Sequence, residues 1–251
     1  MSEAMEAEFD TVAEWTATVA VALGREYHIP AGCRGSGSPV ALDWLADHMD
    51  LASGDLLLDC GAGVGGPAAY AAESRAVRPV LVEPEAGACR AALTLFDHPV
   101  VRAQASALPV ADGSFDAAWS LGVLCTTSDQ LTLLRELRRT VRVGGAIGLL
   151  VFVAHGDIPG DELQDNHFPT PDRLVDLIDK AALHVAHCLS TADLPAIPSL
   201  WEQRVDAVTE ALTERYGHTR SWQLAERQSD AIGRLLQSGT LTGELMVLRH
   251  A

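Results

Sequence analysis

Asp59 stands two residues before Gly61 in "LLLDCGAGVGGPAAY", residues 56–70, where an apolar stretch runs into glycines and then into alanines. Glycines directly after a buried strand leave no Cβ between backbone and ligand. The chain can then turn tightly and aim its amides at a bound molecule from a helix N-terminus. Two spacings are satisfied at once: Gly61, Gly63 and Gly65 read G-x-G-x-G, while Gly61, Gly63 and Gly66 read the G-x-G-x-x-G of dinucleotide sites. Asp59 discriminates between them. A carboxylate there repels a pyrophosphate and suits a ligand whose near end carries an ammonium. Glu83 ends the next apolar stretch, where a carboxylate can accept both hydroxyls of a ribose.

Further groups able to move a proton or line a pocket are few. His155 closes the apolar run "AIGLLVFVA" and is followed by Asp157, Asp161, Glu162, Asp165 and His167. His155 is a candidate base or substrate contact, and the carboxylates show no tight ligand spacing, so no metal is expected. His28, with Tyr27 and Arg34, lies in a turn-rich N-terminal segment. Trp201 and Trp222 belong to amphipathic stretches late in the chain, and with His167 they are candidate acceptor contacts. A nicotinamide enzyme needs a hydride-transfer apparatus such as Tyr-x-x-x-Lys. The lone Lys180 has no tyrosine four residues upstream.

The elements that must position these residues can be read from periodicity. Residues 3–24 are predicted helical, and the turn-rich "HIPAGCRGSGSP" is predicted irregular. Ser38 caps and Pro39 opens the next helix. Then strand and helix alternate: strand "LLLDC", helix 67–75, strand "PVLVEP", helix 85–96, strand "VVRAQA", strand "FDAAWSLGVL", helix 129–142 and strand "AIGLLVFVA". Strands apolar throughout and separated by helices predict a parallel sheet covered on both faces. Beyond it come an acidic loop, a helix opened by Thr170-Pro171, the strand "LHVAHCLS", helices at 199–216 and 221–238, and a last strand "GELMVLRH". The expectation is one α/β domain over 1–251, with an N-terminal helical cap (1–50), a cofactor-binding core (55–155) and a helical lid inserted at 195–238.

Composition narrows the partners. The 251 residues carry a formal net charge of −16, which repels a polyphosphate backbone, so nucleic acid is not expected. The five cysteines are scattered and contain no C-x-x-C, which argues against a disulfide framework or a structural zinc site. No basic leader and no long apolar span is visible, so a cytoplasmic protein without membrane attachment is expected, free to form a homo-oligomer.

Taken together these stretches resemble the class I S-adenosylmethionine-dependent methyltransferases, in particular the small-molecule branch called type 11 or ubiquinone-biosynthesis-like. "LLLDCGAGVGG" is similar to the family's first motif and "LVEP" to its ribose-binding acid. "AQASALPVADGSFDAAWSLGVL" resembles the adenine turn and fourth strand, and "LRELRRTVRVGGAIGL" the helix and Gly-Gly turn before the fifth. The resemblance implies a Rossmann-like, seven-stranded sheet of order 3-2-1-4-5-7-6 with the last strand antiparallel. It implies S-adenosylmethionine as cofactor, with Asp59, Gly61, Gly63 and Gly65 beside its methionine part and Glu83, followed by Pro84, at its ribose. Gln104, Ala105 and Ser106 would face its adenine, and Leu121 would lie under it. Tyr27 and Arg34 would belong to the segment folding over the cofactor, with His28 and His155 as candidate catalytic groups. The sequence departs from the family in having Gln104 where an acid is usual, and Cys125 and Thr126 where relatives place histidines. The expected reaction is methylation of a small-molecule acceptor, at oxygen or nitrogen. The rival readings are a dinucleotide-dependent oxidoreductase and a binding protein without catalysis.

Overall fold

Apolar runs bounded by glycine and proline form the strands of one sheet, and the amphipathic stretches between them cover its faces. The computed structural model describes residues 7–158, 163 and 165–251; the loop carboxylates Asp161 and Glu162 lie outside the described residues. The strands are β1 (Leu56–Cys60), β2 (Arg78–Glu83), β3 (Val100–Arg102), β4 (Phe115–Leu121), β5 (Val141–Ala154), β6 (Leu183–Ser190) and β7 (Leu241–His250). The seven strands lie in the order β3-β2-β1-β4-β5-β7-β6. The first five pair in parallel, and β7 runs antiparallel to both β5 and β6.

The helices are α1 (Ala13–Leu23), entered through a π-helical turn at Ala7–Val12, then α2 (His28–Gly32), α3 (Pro39–His48), α4 (Gly66–Arg75) and α5 (Ala86–Leu95). They continue with α6 (Gln130–Thr140), α7 (Pro171–Lys180), α8 (Ser199–Tyr216) and α9 (Arg220–Gln237). Successive residues of β1 serve opposite layers. Leu58 packs with Leu134, Leu137 and Leu177 of α6 and α7, and Leu57 with Leu42 and Leu45 of α3. Burying each such leucine contributes about 1.5–3 kcal/mol, so both layers are strongly specified by the alternation. A third cluster joins the two ends of the chain: Val12, Ala17 and Ala20 pack with Val208, Leu212 and Trp222.

Several boundaries differ from the periodicity. The segment read as irregular contains α2, because Pro30 falls in its first turn, where an N–H has no intrahelical partner to lose. The strand "VVRAQA" is reduced to Val100–Arg102 at the sheet edge, and the chain turns once the Ala103 N–H reaches the Glu83 carbonyl at 3.2 Å. Helix α6 stops at Thr140, and β5 runs straight through Gly144-Gly145. A Cβ on Gly145 would lie 2.3 Å from the Asp116 carbonyl oxygen, so glycine is what lets the strand continue there. Among the described residues no helix is long and apolar enough to cross a membrane, and no group of three or more His, Cys, Asp or Glu is placed to hold a metal ion.

Candidate active site

The carboxyl ends of β1, β2 and β4 converge on the glycine turn, and two acidic side chains form its floor. Asp59 is 2% exposed and pairs across β1–β4 with Trp119. The Trp119 indole N–H lies near the carboxylate but outside hydrogen-bonding geometry, so Asp59 Oδ2 and Trp119 Nε1 are both buried without a partner. Burial pushes the Asp59 carboxyl up to about 7, against the pull of the indole. The charge of Glu83 adds to the rise, and the Ala68 amide opposes it.

Glu83, 5% exposed, ends β2. Its Oε2 accepts the Gly63 N–H at 2.8 Å and its Oε1 accepts the Glu85 N–H at 3.0 Å. Burial raises this carboxyl to about 7 as well, with the Glu85 and Gly63 amides working against the rise. Each oxygen keeps a further lone pair for a ligand hydroxyl.

The three alternating glycines have different reasons to be glycine. All take positive φ: +77° at Gly61, +54° at Gly63 and +87° at Gly65. A Cβ on Gly61 would strike Val123 at 2.3 Å, and one on Gly65 would strike Leu81 at 2.7 Å, whereas one on Gly63 would meet nothing within 4 Å. Gly61 and Gly65 answer to packing, and Gly63 borders open space. Gly66 opens α4 and meets α2 backbone to backbone, since its Cβ would lie 2.2 Å from the Gly32 carbonyl carbon.

The other residues anticipated from sequence divide into two groups. Gln104, Ala105 and Ser106 form the turn that follows the Ala103–Glu83 contact, with Gln104 and Ser106 exposed and Ala105 half-buried. Pro84 is half-buried beside Glu83, its carbonyl accepting Arg102 Nε at 2.8 Å. Leu121, 5% exposed, closes β4. These belong with Asp59 and Glu83. The N-terminal trio is tied elsewhere. Tyr27 packs against the cluster joining the chain ends, and His28 Nδ1 lies 3.3 Å from the Leu95 carbonyl, its ring edge-on to Phe96. Arg34 sits over the Trp222 ring at 5.7 Å and donates to Thr16 Oγ1 at 3.4 Å. Trp222 itself is 4% exposed and built into that cluster.

His155 is exposed just past β5, with Nε2 2.9 Å from Thr242 Oγ1. His167 is exposed too, but its backbone N–H donates to the Cys125 carbonyl at 2.6 Å, which pins its loop to the turn after β4. Trp201 is half-buried, edge-on to Tyr70 at 6.0 Å. It lines a groove of about 680 Å³ between α8 and the end of β5. The inner wall of that groove includes Cys33 and Leu150. Leu150 pairs with Leu121 across β4–β5, and Cys33 lies close enough to Asp59 that burial and the Asp59 charge together raise its thiol. The groove therefore shares a wall with the floor of the glycine-turn site. Sequence reasoning passed over Trp119, although strand alternation places it on the Leu121 face of β4. It also passed over Gly32 and Cys33, whose roles come only from the docking of α2.

Residues 58–149 match the family model described as a methyltransferase domain. Over this stretch the chain is similar to the class I S-adenosylmethionine-dependent methyltransferases. An uncharacterized methyltransferase of Mycobacterium avium is 36% identical over 128 residues, 50% of this chain and 50% of the relative. The 27-O-demethylrifamycin SV methyltransferase of Amycolatopsis mediterranei is 35% identical over 114 residues, 43% of this chain and 42% of its own. The chain thus spans about half the length of the curated relatives it matches. Its fold is that of the [4+2]-cyclase SpnF, with a TM-score of 0.66 at 19% identity over 86% of this chain and 83% of the other. A geranyl diphosphate methyltransferase solved with S-adenosylmethionine gives 0.62 at 16% identity, covering 85% of each chain. That a cyclase shares the architecture shows that reaction type resides in site residues and not in the fold.

The residues at the glycine turn fit S-adenosylmethionine as a cofactor. A buried carboxylate oxygen lacks a donor, an adjacent glycine borders open space, and a second carboxylate holds unused lone pairs.

Proposed function

We propose that the protein transfers the methyl group of S-adenosylmethionine to an oxygen or nitrogen of a small-molecule acceptor and releases S-adenosylhomocysteine. The unpartnered Asp59 Oδ2 carries this reading. A buried carboxylate oxygen without a donor is costly unless a ligand supplies one, and an ammonium does so where a pyrophosphate would be repelled. The cofactor, when bound, supplies a methyl group activated by a sulfonium.

The work of the chain is positioning and exclusion of water. Asp59 accepts from the ammonium, and Glu83 accepts from the ribose hydroxyls while the Gly63 amide keeps it in place. Gln104 offers its amide oxygen and Ser106 a second contact to the adenine, and Leu121 forms an apolar floor. The described part of the cap at 1–50 and the lid at 195–238 would cover the site from two sides. Transfer to a neutral amine needs no base. A hydroxyl acceptor must lose its proton, and His155 at the end of β5 would take it. The relative named for 27-O-demethylrifamycin SV supports oxygen as an acceptor atom.

Calorimetric titration with S-adenosylhomocysteine, NAD and NADP tests the reading. Micromolar binding of the first with no heat from the others is expected. Binding of a dinucleotide instead would replace it with an oxidoreductase, and cofactor binding with no transfer to any of a broad acceptor panel would leave a binding protein.

A further inference from the structure

We propose that the groove between α8 and the end of β5 is the acceptor site and that it selects apolar molecules carrying a positive charge. Its role as acceptor site rests on the methyltransferase reading; its preference for a cation does not.

The volume, about 680 Å³, is in the range of small-molecule pockets. The walls are largely apolar, with Leu150 and Phe152 on the sheet side and Leu194, Ile197, Trp201 and Val205 opposite. The segment leading into α8 holds Ile197 between Pro195 and Pro198, with Ile197 36% exposed. Apolar surface held out of the core by a stiff segment is what an apolar ligand would cover.

The charged side chains on the groove are Glu202, Asp206 and Arg34, so acids outnumber bases. Glu202 and Asp206 stand one turn apart on α8, both exposed and both on the groove. Among the described residues neither carboxylate makes an ion pair or a side-chain hydrogen bond. Like charges at this spacing repel, and a cation between them relieves the repulsion. Arg34 keeps its charge, but its guanidinium is held against Thr16 and Trp222, and the two carboxylates outnumber it. The net charge of −16 adds a field of the same sign. At the inner end, Cys33 and Leu150 border Asp59 and Leu121, so a molecule held along α8 by its charge reaches the cofactor floor with its other end.

The test uses three matched probes, 4-phenylbutylamine, 4-phenylbutan-1-ol and 4-phenylbutanoate, titrated into the full chain with and without saturating S-adenosylhomocysteine and followed by tryptophan fluorescence. The amine should bind about tenfold tighter than the carboxylate, with the alcohol between them and the gap narrowing in high salt. The double variant Glu202→Gln, Asp206→Asn should bring all three within about twofold and leave the affinity for S-adenosylhomocysteine unchanged. Val205→Trp should fill the groove and weaken every probe about tenfold or more. Equal binding of amine and carboxylate, a preference that survives the double variant, or unchanged probe affinity in Val205→Trp would each overturn the proposal. Absence of S-adenosylhomocysteine binding would remove the methyltransferase reading and the acceptor role while leaving the cation preference to stand or fall on the probes.

Discussion

Asp59 and Glu83 are both held near 7, well above ordinary carboxylates, and the sign of the consequence follows. Between about pH 4 and pH 7 the folded chain holds more protons than the unfolded one, so the stability of the ligand-free protein falls as pH rises through that window and levels off above it. Cofactor binding has the opposite sign, because only ionised carboxylates are full acceptors for the ammonium and ribose. Affinity for S-adenosylhomocysteine should increase from about pH 6 to pH 8, measured by calorimetry. Asp59→Asn separates the two effects: it should weaken binding tenfold or more yet leave the free protein at least as stable at pH 8, since it removes a buried charge. His155→Ala should change the melting temperature little and reduce turnover of a hydroxyl acceptor by about 10²- to 10⁴-fold, while an amine acceptor is spared. At this scale Asp59, the glycines and Glu83 were legible because their chemistry is written in local spacing. Trp119 was not, because its relation to Asp59 exists only across the β1–β4 pairing.

At the scale of the element, the glycine turn shows how one motif serves two masters. Gly61→Ala should cost about 2–4 kcal/mol in chemical denaturation, through positive φ and a collision with Val123. Gly63→Ala carries only the backbone term, about 1–2 kcal/mol, and should remain folded while losing cofactor affinity, since its methyl group enters the open side of the turn. Equal destabilisation by the two would refute the division. The strand-helix alternation was readable because buried parallel strands are continuous apolar runs, and β6 falls where the pattern placed it. Helix α2 was hidden because its residues favour turns in isolation. It exists because Gly32 and Gly66 let its backbone settle on α4, a contact with no sequence period.

Across the whole molecule, the N-terminal helices and the late helices α8 and α9 form one assembly. Trp15 of α1 stacks on Tyr216 of α8 with ring centroids 4.1 Å apart, and Arg34 covers Trp222 of α9. Trp15→Ala should therefore loosen the lid as well as α1. Limited proteolysis should cut both the N-terminal segment and the 190–200 segment faster, and acceptor probes should bind more weakly than in the parent while S-adenosylhomocysteine loses less. The sheet order and its antiparallel last strand were foreseeable from the resemblance, but this interlock was not, because it pairs residues that no local pattern relates. Its consequence lies in how the chain is made. Tyr216 follows Trp15 by about 200 residues, so at roughly 5–20 residues per second α1 waits on the order of ten seconds or more for its partner. Throughout that interval α1 can already settle on α5 through Ala88, Ala91 and Leu95, but the Trp15 indole has no ring to stack on. A nascent chain stalled before α8 should therefore keep Trp15 open to an aqueous quencher, and quenching should fall once translation passes Tyr216.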